Sequence, residues 1–515
     1  MAKPDKVVPL APRPIIRIRG GELHEVASEA EKALGRFGAP LYVRSGEIVK
    51  PVIDSVEAAK GRKTKVGRLQ RVTGAGLVDY LSRAASWERY DKRSKRWSAT
   101  DPPKQVAEII LSRDGEWEFP VLSGVIGCPT MRRDGSIINQ VGYDRKAQLL
   151  LIDSPEMGSI PLRPSRSDAE DALALLDGLL NGFPFVDAAS RSVALSALMT
   201  PVLRPGALTS APLHVMRAPS AGSGKSYLVD LAAAISTGQF APVIAIGRTD
   251  EETEKRLGAA LLGGQPIISL DNVNGRLGGD ALCQVVERPV VQVRPLQRSE
   301  LKRIESRATV FATGNNVEIE GDLVRRALLC SLDADQERPE LRRFENDPLA
   351  AVLADRGKFI AAIFTIARAY IAAACPEVCP PLASFEDWSR VIRSSIVWLG
   401  RVDAADTMEI ARAEDTSLTA MRALFAAWYE AASSDAKLTR EIRDVAESRT
   451  GEARCHPDLH RVLVDIAPAR GGGIETKLLG QWLKRHQNRV ADGLKLTSEI
   501  DSHSKQRRWR VLPKF

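Results

Sequence analysis

The run Ala218-Pro219-Ser220-Ala221-Gly222-Ser223-Gly224-Lys225-Ser226 places glycines, a lysine and hydroxyls in the order that grips a polyphosphate. Gly222 and Gly224 have access to backbone angles closed to other residues, which turn amide N–H groups inward around Ser223. A helix opening at Ser226 adds the positive end of its dipole. Lys225 then reaches the outer phosphates of a triphosphate such as ATP, and the Ser226 hydroxyl is a ligand for Mg2+. Pro219 stands where such loops usually carry their first glycine; it removes one N–H and restricts the entry.

A second element, Pro266 to Asn272, lies downstream. It reads as four residues of strand, Ile267 to Leu270, ending in Asp271, an acid suited to hold the water shell of Mg2+. The next residue is Asn272 rather than a glutamate that orients an attacking water. Either Asn272 positions water without taking a proton, or a carboxylate elsewhere serves; Glu251 and Glu252 are candidates, and also fit as first-turn helix acids favoured by the dipole. A third element, Arg307 to Asn316, reads as a strand over Ala308 to Ala312. It brings Asn315 to the end of the sheet where ligands bind. A fourth, Gly321 to Ala327, offers Arg325 and Arg326 to the outer phosphate held by a neighbouring subunit.

Two stretches carry chemistry for a polyanion. Between the second and third elements, Val290 to Ile304 reads as two short strands around a polar turn, with Arg294, Arg298, Lys302 and Arg303 as candidate contacts to a nucleic-acid backbone. Near the C-terminus, the helix Thr476 to Gln487 turns Leu479, Trp482 and Leu483 inward and Lys477, Lys484 and Arg485 outward. Two strand-like runs follow, the second carrying Arg507, Arg508 and Arg510. A helix with a basic two-stranded wing places the helix in a DNA groove and the wing on phosphates.

These residues need a frame. From Pro212 to Leu332 strands and helices alternate, which implies a mostly parallel sheet covered by helices. Residues 1–14 read as a tail, 15–154 as a basic α+β domain with a hairpin turn at Asp134-Gly135, and 155–187 as linker and helix with a capping box at Ser167-x-x-Glu170. Residues 188–375 read as the ATPase core with a helical lid, 376–415 as a helical connector, and 416–515 as the winged-helix domain. Pro205-Gly206 is expected to end the helix that starts at Ala188.

The chain has 515 residues, 73 basic and 65 acidic, a size that fits several domains. Its charge is uneven: Pro51 to Thr100 carries 12 basic and 5 acidic residues, and Gly471 to Phe515 carries 10 and 4. Each run is either a solvated face or a polyanion surface. No apolar stretch reaches the ~20 residues of a membrane span. Six scattered cysteines fit a reducing cytoplasm, and no zinc-ligand spacing or primase site stands out.

The order of the four elements resembles the AAA+ ATPase core of replicative helicases from phages, plasmids and integrated islands, in the superfamily 3 and mini-chromosome-maintenance-like groups. Gly222, Gly224, Lys225 and Ser226 match Walker A, Asp271 Walker B, Asn315 sensor 1, and Arg325 or Arg326 the arginine finger. The hairpin around Arg298 is similar to the one that lines the central pore in those families. The resemblance covers about Ala188 to Ala374, and the flanking segments resemble the helicase half of phage primase-helicases. It implies an α/β P-loop NTPase core between an N-terminal α+β domain and a C-terminal winged helix. It also implies a homo-oligomeric ring, hexameric in form. The expected activity is ATP-dependent DNA translocation or unwinding in replication, with single strands in the pore and duplex on the winged helix. The competing expectations are a helicase loader and an ATP-switched origin-binding protein without unwinding activity.

Overall fold

The computed structural model describes residues 13–59, 62–247, 249–295, 300–342, 346–469, 472–500 and 506–514. Most of the expected tail, and Arg298 of the expected basic hairpin, lie outside these residues. The chain divides into two compact units. One is Met1–Gly275, Gly279–Val317 and Arg326–Thr407; the other is Arg276–Gly278, Glu318–Arg325 and Met408–Phe515.

The first unit opens with β1 (Ile15–Ile18), α1 (Leu23–Phe37), β2 (Tyr42–Arg44), β3 (Glu47–Ala59), β4 (Arg62–Arg71), α2 (Gly74–Ala84), β5 (Ser86–Asp91), β6 (Arg96–Ala99) and α3 (Lys104–Ser112). β1, β5 and β6 form one sheet, and β2, β3 and β4 another. Ile16 and Trp87 point from the first sheet into a core filled by Ala30, Leu34, Leu77, Leu81 and Ile110 of the three helices. Five short strands follow: β7 (Gly124–Ile126), β8 (Thr130–Met131), β9 (Ile137–Ile138), β10 (Gly142–Asp144) and β11 (Leu149–Leu151). β8 and β9 pair across the Asp134-Gly135 turn, where Gly135 has φ 82°.

Helix α4 (Arg166–Gly178) starts earlier than the sequence suggests. Its capping box is Ser165 with Asp168, not Ser167 with Glu170, because Asp168 accepts from the Ser165 amide at 2.7 Å. Helix α5 (Ala188–Ala207) runs through Pro201 and Pro205 and ends one residue past the Pro205-Gly206 pair expected to close it. Burial of nearly every one of its residues outweighs the local cost of the two prolines. Near its end, Arg204 is fully buried and donates to the Leu208 and Ser306 carbonyls, both at 2.9 Å. Burial brings this guanidinium down to about 9.

The chain continues through β12 (Leu213–Ala218), α6 (Lys225–Thr237), β13 (Val243–Ala245), α7 (Asp250–Leu262), β14 (Ile267–Leu277), α8 (Asp280–Glu287), β15 (Val290–Val293), β16 (Lys302–Glu305), β17 (Thr309–Ile319) and β18 (Ala327–Ser331). Five of these strands form the central sheet, in the order β13-β14-β17-β12-β18. β12 runs parallel to both β17 and β18, and β13 parallel to β14. Leu213, Val215, Ile267, Ile268 and Phe311 are buried in it, as fits parallel strands covered on both faces. β15 and β16 form a separate antiparallel pair, the two short strands expected here.

Strands β14 and β17 run past the ends expected at Leu270 and Ala312. Asn272 (φ 55°) and Asn316 (φ 48°) take left-handed backbone angles inside them, so residues that read as strand terminators are local twists in longer strands. The two strands approach closely: a Cβ on Gly314 would lie 2.0 Å from the Val273 carbonyl oxygen, so only glycine fits. Beyond the sheet the unit adds helices Pro348–Ala354 and Arg356–Ala372. The helix expected over Phe385 to Leu399 forms as helical turns from Glu386 to Trp398 with a π segment at Ser389–Arg393.

The second unit packs helices Thr416–Ala432, Thr439–Glu447, Pro457–Ile466 and Thr476–Arg485 with an antiparallel sheet. That sheet joins Lys437–Leu438, Arg507–Pro513, Leu494–Ile500 and Val490–Ala491 in that order. Trp428, Ile442, Leu463, Leu479, Leu483, Trp509 and Val511 fill its core. Among the described residues, no helix is long and apolar enough to cross a membrane.

Candidate functional site

The sheet order sets the site. β12 ends at Ala218, and the chain turns through residues 219–224 into α6. Gly222 (φ 77°) and Gly224 (φ 96°) supply the left-handed angles of that turn, and Gly224 is the N-cap of α6. Ser223 is buried in the loop and donates its hydroxyl to the Ser220 carbonyl at 3.0 Å. The Lys225 ammonium folds back onto the same carbonyl at 2.7 Å. Partial burial lowers its pKa, and the nearby Asp271 carboxylate opposes the shift.

Asp271 sits where β14 passes this loop. Its Oδ1 accepts a hydrogen bond from the Thr313 hydroxyl of β17, and the Ser226 hydroxyl of α6 approaches the same oxygen at 3.4 Å. Three elements therefore converge on one carboxylate oxygen. Asn315 pairs in register with Ala218, level with the entrance of the loop. Its Oδ1 is buried with no hydrogen-bond partner among the described residues. Asp230, one turn further along α6, accepts from the Ala241 amide at 3.0 Å. Burial raises its pKa, with repulsion from Asp271 adding to the shift.

Composition and spacing did not point to Thr313, Asp230, Phe183 or Glu340. A Cβ on Gly224 would meet the Phe183 ring at 3.0 Å, and one on Gly222 the Glu340 amide nitrogen at 2.8 Å. Both glycines are thus fixed by neighbours as well as by backbone angle. Only Thr313 had a readable signal: it is two residues from both Phe311 and Asn315, on the same face of one strand.

The two acids considered for water activation are both engaged elsewhere. Glu251 pairs with Lys255 at 2.7 Å, and Glu252 with Arg256, along the first turns of α7. Asn272 is exposed beside Asp271.

The two arginines of the fourth element separate. Arg326 is buried, 5% exposed, and closes on the Glu287 carboxylate with Nε at 2.7 Å. It is an anchor of β18 against α8, which removes it from the arginine-finger candidates. Arg325, on the short 3-10 turn Gly321–Arg325, keeps its side chain 45% exposed and pairs with Asp322 at 3.0 Å.

The polyanion candidates also divide. Arg294 and Arg303 are exposed around the β15–β16 hairpin. Lys302 is not: its side chain is 11% exposed and its ammonium pairs with Glu47 at 3.1 Å, so it ties the hairpin to β3. In the second unit, Leu479 and Leu483 are buried and Trp482 half-buried, while Lys477, Lys484 and Arg485 are exposed. The three wing arginines are half-buried and engaged: Arg507 with Gln487 at 2.8 Å and over the Trp509 ring, Arg508 with the Ala436 carbonyl at 3.3 Å, and Arg510 with Glu499 at 3.3 Å.

No family model and no curated protein matches the chain. Among solved structures it is similar to two A-form apo structures of the NrS-1 C-terminal region. Both are 12% identical, with TM-scores of 0.35 and 0.37; each alignment spans 94% of this chain, and 99% and 98% of the other chain respectively.

Proposed function

We propose that this protein is an ATP-driven motor on DNA, a helicase or translocase of a replication system, built on a P-loop ATPase core with a winged helix at its C-terminal end. The observation that carries the reading is the meeting of Ser226 and Thr313 on Asp271 Oδ1, beside a glycine-rich loop that opens α6. A hydroxyl and a carboxylate form a hard oxygen set of the kind Mg2+ prefers. The residues present therefore fit that ion, which when bound would neutralise charge on the β- and γ-phosphates.

The chain's own residues divide the work. The loop amides and the N-terminal end of α6 cradle the phosphates. Lys225 exchanges the Ser220 carbonyl for phosphate oxygens. Thr313 holds Asp271 in place, and the unpaired Asn315 Oδ1 accepts a hydrogen bond from the attacking water, orienting it without removing the proton. Arg325 is the residue offered to a neighbouring subunit in a ring of copies. The exposed Lys477, Lys484 and Arg485 face duplex, and Arg294 and Arg303 flank the hairpin that engages a single strand.

One observation favours the ATP-switched, non-unwinding alternative. No carboxylate follows Asp271, and Glu251 and Glu252 are taken up in ion pairs, so turnover would be slow and ATP could act as a conformational signal. The deciding experiment measures ATP hydrolysis and strand displacement on forked DNA for the wild type and Lys225→Ala. The motor predicts DNA-stimulated hydrolysis and ATP-dependent displacement, both lost in Lys225→Ala. Tight ATP binding without displacement selects the switch, and wild-type hydrolysis by Lys225→Ala removes the phosphate loop from the mechanism.

A further inference from the structure

The N-terminal part of the first unit carries a surface that the nucleotide site does not use. The sheet β1-β5-β6 buries one face, through Ile16 and Trp87, and leaves the other open. Pairing puts Arg17 opposite Glu88, and Tyr90 opposite Trp97. Because side chains alternate along a strand, Arg17, Glu88, Tyr90 and Trp97 share the open face. The two rings meet edge to face with centroids 5.5 Å apart and remain 45% and 37% exposed. The Arg17 guanidinium lies 5.0 Å from the Trp97 ring centre, and its Nε pairs with Glu88 at 3.1 Å.

The charge lies mainly in the turn that joins the two strands. Residues 86–99 hold five exposed basic side chains against two acids; Arg89 and Arg96 alternate onto the face opposite the rings, and Lys92, Arg93 and Lys95 stand in the turn. Asp91 is turned inward on its own turn, accepting from the Arg93 amide at 2.9 Å and the Ser94 hydroxyl at 2.7 Å. It thereby shapes the turn that displays Lys92, Arg93 and Lys95.

We infer that this face is a stacking platform for single-stranded nucleic acid: Tyr90 and Trp97 take unstacked bases, and the basic turn and Arg17 follow the phosphates. Exposed aromatic rings beside Arg17 and a cationic turn fit a strand whose bases are free and whose backbone is anionic. A duplex keeps its base faces covered, and a protein partner with an apolar patch would gain nothing from the cations beside the rings. The inference shares the polymer class of the proposed function but needs neither ATP nor the ring. Its failure would leave the ATPase reading intact, and failure of the ATPase would leave this surface intact.

The test uses the full-length protein without nucleotide, titrated by fluorescence anisotropy against labelled oligothymidylate, oligouridylate and a duplex of equal length. The variants are Tyr90→Ala with Trp97→Ala, Tyr90→Phe with Trp97→Phe, and Lys92→Ala with Arg93→Ala. The alanine ring pair should weaken single-strand binding on the order of tenfold per ring. It should leave the salt slope unchanged, and duplex binding should change far less. The phenylalanine pair should keep most of the affinity. The cation pair should flatten the log–log salt dependence by about 0.7 for each phosphate that is no longer neutralised. Equal weakening with both oligonucleotides makes the face a general single-strand site; weakening confined to one assigns it to DNA or RNA.

Photocrosslinking of wild-type protein to a bromouracil-substituted strand, with the attachment mapped, decides the matter if the alanine pair fails to fold. Attachment within residues 86–99 supports the platform. Crosslinks found only elsewhere would overturn it, as would wild-type single-strand affinity in the folded alanine pair or an equal weakening for duplex.

Discussion

The Thr313 hydroxyl donates to Asp271 Oδ1 across two neighbouring strands of the central sheet. This bond fixes the acid's rotamer before any ligand arrives, and it leaves Oδ2 as the less engaged oxygen. A threonine at this place does what a second carboxylate could not, since like charges so close would raise the pKa of one of them.

Thr313→Val keeps the shape and removes the donor. Because Thr313 is buried, 2% exposed, the change takes the closer of two donors from Asp271 Oδ1 and leaves Ser226 at 3.4 Å. Stability should fall by about 1–2 kcal/mol. The effect on hydrolysis should be larger in kcat than in KM for ATP, because a loosened Asp271 misplaces charge in the transition state more than in the bound ground state. Steady-state ATPase kinetics beside thermal unfolding separate the two. An unchanged kcat with only a lowered melting temperature would reduce Thr313 to a packing residue.

The loop and the helix after it were legible because their chemistry is local: glycines, lysine and hydroxyl lie within a few residues, between an apolar strand and an apolar helix. The alternation of strands and helices from Leu213 onward was legible for the same reason. The lengths of β14 and β17 were not. Asn272, Asn274 and Gly275, like Gly314, Asn315 and Asn316, are turn formers by composition, and pairing with a neighbouring strand carries the backbone through them. Arg326 could not be separated from Arg325 by reading either, since its partner Glu287 is 39 residues away and the pairing arises only when β18 packs near α8. The end of α5 at the Pro205-Gly206 pair was legible to within a residue, although burial rather than local propensity carries the helix through its prolines.

That separation predicts opposite phenotypes for adjacent residues. Arg326→Ala takes the cation from the Glu287 carboxylate, itself 13% exposed, leaving it the Ser384 hydroxyl at 2.7 Å, and should cost about 3–5 kcal/mol. Arg325→Ala removes an exposed side chain and should leave stability within about 0.5 kcal/mol. If Arg325 acts on a neighbour's nucleotide, its removal should reduce ATP hydrolysis by about 10³-fold or more while ATP binding persists. Mixing Arg325→Ala with Lys225→Ala protein should restore part of the activity, because some interfaces then combine an intact lysine with an intact arginine. Full hydrolysis by Arg325→Ala alone would exclude the role.

His214 gives the fold a dependence on acid. It is fully buried on β12, with Nε2 3.0 Å from the Ser196 hydroxyl and its ring 5.5 Å from that of Phe311. Burial pushes its pKa down to about 3. The unfolded chain takes up a proton near pH 6.5, whereas the folded chain resists until about pH 3. The stabilisation from keeping this imidazole neutral is therefore complete above pH 6.5 and is lost as the pH falls toward 3, by about 1.4 kcal/mol per pH unit. His214→Leu removes the titrating group. Denaturation midpoints measured between about pH 5 and 8 should show a shallower acid-side fall for the variant than for the wild type. Parallel curves would mean that His214 is already protonated in the native protein or that the acid sensitivity belongs to the carboxylates.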